Sequence, residues 1–180
     1  SEAFEMRSFG YLRSIGVKGI VSLYTPKAPV PEDIPVVIVG EKLSDAEVDT
    51  VDLNSYASGR LAAEHLISLG HKQIAFISTP FTNITKARNN RKEGILSRMK
   101  EAGLESGLYV LVDTEEENDN SDSAYEFDCG VRLTDRLLKE YPQCTAIIAV
   151  NDMTAMGCIS ALNRQGIRIP EDMAVCGFDN

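Results

Sequence analysis

Ala146-Ile147-Ile148-Ala149-Val150-Asn151-Asp152-Met153-Thr154-Ala155-Met156-Gly157 is the stretch on which the fold turns. An unbroken apolar run ends on two short polar residues, then passes into a helical spacing. A parallel strand covered on both faces reads as such a run, because neither face meets water. The polar pair makes the turn, and Asp152 is the expected N-cap of the helix that follows. In open α/β sheets, ligands bind just beyond the carboxyl ends of the strands. Asn151 stands at such an end. Its carboxamide both donates and accepts, which suits a hydroxylated ligand.

Outward from this stretch the same alternation repeats. The pattern predicts helix 55–69, strand 73–78, helix 87–101, strand 108–112, helix 128–141, strand 145–150, a helix from 152 to about 165 and strand 173–176. In helix 55–69, Asn54 is the expected cap, and Ala57, Leu61, Ala62, Leu66 and Leu69 are expected on the inward face. Four helix–strand units in succession build a parallel sheet with helices on both faces. Before them lie a helix over 3–16, strands 19–23 and 36–39, a loop punctuated by Pro26, Pro29, Pro31 and Pro35, an acidic segment 41–50 and an extended crossing over 50–53. Two lobes are therefore expected, 1–51 and 52–180. The first has too few strands for an independent sheet. The second ends on a strand with no helix to cover it, so both lobes are expected to be incomplete.

The totals narrow the function. A chain of 180 residues with 43% hydrophobic content can bury a core. Its net charge of −9 disfavours direct binding to DNA or to an anionic membrane, since both need a basic footprint. No apolar run approaches the length of a membrane span, and the first ten residues lack the basic and apolar regions of a signal peptide. The four cysteines, at 129, 144, 158 and 176, form no C-x-x-C pair and read as reduced thiols. His65 and His71 straddle a helix end without metal-ligand spacing, and His71 is expected to support that turn, favoured by the negative end of the helix. The acidic run 113–122 lacks the ligand pattern of an EF-hand. G-x-G-x-x-G, P-loop and G-x-S-x-G motifs are absent. No cofactor and no metal are expected.

Four segments together resemble the LacI/GalR transcriptional regulators. Leu66-Ile67-Ser68-Leu69-Gly70-His71-Lys72-Gln73-Ile74-Ala75 is similar to a helix end, GH turn and strand of that family. Arg91-Lys92-Glu93-Gly94 is similar to its R-x-x-G helix. Thr145 to Gly157 carries its ND turn, and Gly166 to Asp172 with Gly177-Phe178-Asp179-Asn180 resembles its G-x-x-i-P-x-D and GFDN segments. The resemblance covers 35–180 clearly and 1–34 loosely. It implies an α/β effector-binding domain of the two-lobe, periplasmic-binding-protein-like (type I) fold, with a ligand held between the lobes. It also implies an internal fragment, since the family's helix-turn-helix headpiece has no counterpart in these residues.

By that resemblance Arg91 grips ligand oxygens, for which five donors in a rigid fork are suited. Asp179, an acceptor-only group at another strand end, takes ligand hydroxyls or amines. Phe81 can stack on a sugar's C–H face, Thr85 can add a hydrogen bond, and Tyr24 is expected to face the cleft from the other lobe. Arg91, Asn151 and Phe81 have plainer alternatives: a solvated helix arginine, a turn-forming asparagine and a locally packed loop phenylalanine. The function expected is that of a non-catalytic, cytosolic ligand-sensing core, dimeric in the intact protein. It would bind a sugar or sugar derivative, with a purine as the lesser option, and reach DNA only through a headpiece. A transport-type sugar-binding protein of the same fold and an α/β enzyme acting on sugars are the rivals. The latter would need a general acid–base pair in the cleft.

Overall fold

The computed structural model describes residues 1–23, 25–40, 48–81, 86–114 and 123–179. Tyr24, Thr85, most of the acidic segment after Gly40, the acidic run 115–122 and Asn180 lie outside the described residues. The chain divides into two compact units, Ser1–Asn54 and Ser55–Asn180.

The first unit holds α1 (Glu2–Ser14), β1 (Ile20–Ser22), β2 (Val36–Val39) and β3 (Asp49–Val51). The three strands form a parallel sheet in the order β1-β2-β3. The residues expected as an extended crossing thus supply a third strand, with Val37 opposite Asp49 and Val39 opposite Val51. The proline-punctuated loop is tied to α1 by Glu5, whose carboxylate accepts the amides of Lys27 at 2.8 Å and Ala28 at 2.9 Å. Gly16, just past α1, adopts φ +72°, the left-handed conformation that closes a helix.

The second unit runs α2 (Ser55–Ser68), β4 (Ile74–Ser78), α3 (Lys86–Glu101), a 3-10 turn (Glu105–Gly107), β5 (Leu108–Val112), α4 (Ser123–Glu140), β6 (Ala146–Ala149), α5 (Asp152–Arg164) and β7 (Ala174–Cys176). Its sheet is parallel throughout, in the order β5-β4-β6-β7. Alternate strand residues feed opposite cores. Ile74, Phe76, Ala146, Ile148 and Val150 pack with Ala63 and Leu66 of α2 and Ile95 and Met99 of α3. Ala75, Ile77, Ile147 and Ala149 pack with Cys129, Leu133 and Leu137 of α4 and Cys158 and Leu162 of α5. Every residue of β4 and β6 is buried, the physical reason for their unbroken apolar runs.

Each helix pair meets through glycines. A Cβ at Gly59 would overlap the Arg91 carbonyl oxygen, and one at Gly94 would overlap that of Tyr56. Likewise a Cβ at Gly130 would overlap the Thr154 carbonyl oxygen, and one at Gly157 that of Phe127. Backbone approaches backbone at these crossings, which no larger residue permits. This corrects the expected face of α2. Leu61 and Leu69 are 71% and 62% exposed and Ala57 is also exposed, whereas Ser55, Gly59, Ala62, Ala63 and Leu66 are buried. The helix turns its small residues, not all its apolar ones, toward α3.

Helix α4 begins at Ser123, five residues before the expected start. Its residues find partners just after β5 and on α3. Tyr125 donates to Asp113 at 3.0 Å, Arg132 donates to the same carboxylate at 2.5 Å, and Glu126 pairs with Arg88 at 3.4 Å. His71 Nδ1 lies 2.9 Å from Thr145 Oγ1, which ties the turn after α2 to the start of β6. Burial lowers the His71 pKa, because desolvation penalises the charged ring.

All four cysteines are free thiols; three are buried and Cys176 is half-buried. Burial pushes the Cys129 and Cys158 thiols up to about 12 and raises those of Cys144 and Cys176. Since the thiolate is the nucleophile, native protein at neutral pH is expected to react promptly with a thiol reagent at Cys176 at most, and at all four when unfolded. Peptide mapping after a short pulse of iodoacetamide checks this; prompt labelling of Cys129 or Cys158 in folded protein would contradict the buried placement. Among the described residues, no helix is long and apolar enough to cross a membrane, and no cluster of His, Cys, Asp or Glu could hold a metal.

Candidate functional site

The connection leaving β4 passes over one face of the second unit's sheet and the connection leaving β6 passes over the other, because α3 and α5 belong to opposite cores. Adjacent strands whose connections part in this way leave a crevice at their carboxyl ends. Arg91, in the second turn of α3, reaches across it. Its Nη1 donates to the Val150 carbonyl at 2.5 Å, and its Nη2 lies 3.9 Å from Asp179. Its guanidinium stacks over the Phe178 ring at 4.5 Å, inside the range of a cation–π contact. Three elements distant in sequence thus converge on one side chain.

Arg91 is only 14% exposed, and its Nε is buried without a hydrogen-bond partner among the described residues. Desolvation lowers its pKa; the charge of Asp179 opposes that, Arg88 reinforces it and Asp152 opposes it. A guanidinium remains protonated regardless. The result is a desolvated cation with a donor still unsatisfied, held at a strand end beside a carboxylate that is 56% exposed. Such a pair can grip adjacent donors and acceptors on one small ligand.

Asn151 occupies the predicted strand end, but its oxygen already has a task. It accepts from the Thr154 amide at 2.9 Å, which makes Asn151 the N-cap of α5. Asp152, expected in that role, is instead the first helical residue. Its Oδ1 accepts from the amides of Phe178 at 2.8 Å and Asp179 at 3.1 Å. The extended backbone of Asn151 aims its side chain at the helix, and one residue later the side chain turns toward β7. The carboxamide NH2 of Asn151 is not used in the cap bond and keeps two donors. Replacing Asn151 with Ala is expected to cost about 1 kcal/mol through the lost cap, read from urea unfolding. Asn151→Ser, which restores a capping oxygen, is expected to recover most of it, and equal losses in both variants would show that the cap is not what Asn151 contributes.

Phe81 lies against the core. Its ring stacks on Phe76 with centroids 6.5 Å apart and planes 6° from parallel, and Lys92 Nζ sits 5.0 Å from its centroid. Tyr24 and Thr85 are outside the described residues. Phe178, Lys92 and the bridging role of Asp152 escaped sequence reasoning. Phe178 sits in the GFDN segment next to Asp179, but only the adjacency of β6 and β7 shows that its ring meets Arg91. Beside the crevice, Arg88 and Glu126 form an ion pair with side chains only 11% and 13% exposed, and Arg88 also donates to the Pro80 carbonyl at 3.2 Å.

Residues 63–180 match a family model described as a periplasmic binding protein-like domain. Among curated proteins, the HTH-type transcriptional repressor PurR of Mannheimia succiniciproducens is 31% identical over 147 residues, which is 82% of this chain and 41% of that protein. The PurR of Haemophilus influenzae is 38% identical over 137 residues, 76% of this chain and 37% of that protein. The chain therefore spans about two fifths of the length of these relatives. Among solved structures, a LacI family transcriptional regulator from Enterococcus faecium with bound ribose superposes with a TM-score of 0.70 at 26% identity, covering 97% of this chain and 63% of that one. A LacI family regulatory protein from Chloroflexus aggregans superposes with a TM-score of 0.70 at 28% identity, covering 96% and 60%.

Proposed function

Because this chain belongs to the periplasmic-binding-protein-like family, as an effector domain of LacI/GalR type, we propose that it is the ligand-sensing part of a transcriptional regulator. On this reading the two units are the two lobes of the effector domain. The ligand is a small, neutral, hydroxyl-rich molecule, a sugar or sugar derivative, and the domain catalyses nothing. The observation that carries the proposal is the convergence of the β6 and β7 ends on Arg91 of α3, a desolvated cation with a donor unsatisfied among the described residues, beside Asp179. Asp179 accepts ligand hydroxyls, Arg91 donates to ligand oxygens, and the NH2 of Asn151 adds donors. A carboxylate beside the cation disfavours a phosphorylated ligand, which would meet like charge there. In the full-length protein, a cytosolic homodimer, ligand bound with unequal affinity to two conformations shifts the balance between them, and with it the affinity of a helix-turn-helix for DNA.

A second reading, a purine base, rests on the flat platform of the Arg91 guanidinium over Phe178, since a planar heterocycle stacks on such a surface. Thermal unfolding of the full-length regulator with D-ribose, cellobiose, adenine and hypoxanthine in turn separates the two. Ligand at 100 times its Kd is expected to stabilise by roughly 2.7 kcal/mol, a readily measured rise in melting temperature. A rise with sugars alone supports the first reading and a rise with bases alone the second. A rise with D-ribose 5-phosphate but not with D-ribose would overturn the neutral-ligand assignment. Asn151→Ser is expected to keep the fold and weaken binding about tenfold, the loss of one or two hydrogen bonds to ligand, which titration calorimetry measures.

A further inference from the structure

Asp152 joins two strand ends by three hydrogen bonds. Its Oδ1 accepts from the amides of Phe178 and Asp179, and its own amide donates to Asp179 Oδ2 at 3.3 Å. The bonds run both ways: the carboxylate at the start of α5 holds the backbone after β7, and the carboxylate after β7 returns to the start of α5. Gly177 completes the arrangement. A Cβ there would overlap Asp152 Oδ1, so the carboxylate occupies the space a side chain would need. All three bonds are made within the chain, and both residues so held carry a group that faces Arg91: Phe178 its ring at 4.5 Å and Asp179 its carboxylate at 3.9 Å.

We propose that Asp152 is a positioning residue of this site: its carboxylate oxygen sets the direction of Asp179 and lays the Phe178 ring against Arg91. The physical reason lies in where the chain stands. Phe178 and Asp179 follow β7, an edge strand of three residues, and the ladder with β6 ends at Cys176. Beyond that point no sheet bond among the described residues fixes the backbone, and two amides on one carboxylate hold it. Charge-assisted acceptance makes these bonds stronger than neutral ones. The consequence for ligand rests on the proposed function; the placement of Asp179 and Phe178 does not.

The test compares Asp152→Ala, Asp152→Asn and Gly177→Ala with wild type, all in the full chain, by nitrogen-15 NMR without ligand. Asparagine keeps an acceptor oxygen and alanine does not. Asp152→Ala is expected to speed exchange of the Phe178 and Asp179 amides by about tenfold or more, as for loss of a hydrogen bond. It is also expected to move the Arg91 Nε–H resonance as the ring current of Phe178 is withdrawn. Asp152→Asn is expected to restore both readings, and Gly177→Ala to break the contact with Asp152 still in place. The Ile148 amide, buried in β6, reports that the fold is intact. Should Asp152→Ala unfold the unit, Gly177→Ala alone decides. Unchanged exchange and an unmoved Arg91 resonance in a folded Asp152→Ala or Gly177→Ala protein would overturn the proposal, as would Asp152→Asn behaving like Asp152→Ala. Titration of the full-length regulator with D-ribose adds the functional arm. If wild type binds it, affinity is expected to fall about tenfold in Asp152→Ala and to recover in Asp152→Asn. If wild type does not bind D-ribose, the sugar reading suffers, and the positioning role stands or falls on the NMR result.

Discussion

Gly157→Val is expected to unfold the second unit under conditions where the wild type is folded. The position is in the middle of α5, where it crosses α4. Even a Cβ there would overlap the Phe127 carbonyl oxygen and stand 3.0 Å from the Val131 nitrogen. Two helical backbones in contact cannot yield as a flexible side chain does. Removing a helical glycine gains about 1 kcal/mol for alanine, but overpacking costs typically about 1–3 kcal/mol and more where backbone must move. A β-branched side chain adds two further heavy atoms at the same place. Against a total stability of about 5–15 kcal/mol, several kcal/mol at this crossing removes most of the margin. Circular dichroism melting reads the result. The control is Gly166→Ala, where φ is +72° but nothing lies within 4 Å, so only the backbone cost of about 1–2 kcal/mol applies. A Gly157→Val protein that melts with the wild type would mean that α4 and α5 are not packed as described.

Arg91→Met is expected to separate stability from ligand response. Methionine keeps the unbranched stem of the side chain but ends short of the guanidinium that lies over the Phe178 ring, and it removes a buried Nε that has no partner among the described residues. It also deprives the Val150 carbonyl of its donor. The two effects oppose each other, each on the order of 1 kcal/mol, so ligand-free unfolding is expected to stay within about 1 kcal/mol of wild type. Ligand affinity, on the proposed function, is expected to fall about a hundredfold or more, since both the charge and its donors are lost from a desolvated site. The measurement is paired: urea unfolding without ligand, and titration of the full-length regulator with whichever sugar or base raises the wild-type melting temperature. A mutant that binds as well as wild type would remove Arg91 from the site. One that loses several kcal/mol without ligand would make Arg91 a structural residue first.

Much of the second unit is legible in one dimension. Its strands are covered on both faces, so they appear as apolar runs, and glycines such as Gly70, Gly103 and Gly166 mark the helix ends with positive φ. The start of α4 was not legible. Ser123 to Phe127 follow an acidic run and look like more of the same loop; they are helical because Tyr125 and Glu126 meet Asp113 and Arg88. The inward face of α2 misled for a related reason. A helix that touches another by its backbone turns glycine and alanine inward, so apolar periodicity points to Leu61 and Leu69, which the packing leaves outside.

The site divides in the same way. That Asn151 and Asp179 stand at strand ends follows from local pattern alone, the α/β class follows from the alternation of strands and helices, and the family follows from four short motifs in order. Which of Asn151 and Asp152 caps α5, and what the other one holds, depends on β7 lying beside β6, an adjacency across more than twenty residues that no local period encodes. The same adjacency brings Phe178 and Asp179 to Arg91. Periodicity records which side of an element is buried; only the order β5-β4-β6-β7 decides which strand ends are neighbours, and a ligand site at strand ends is made of neighbours.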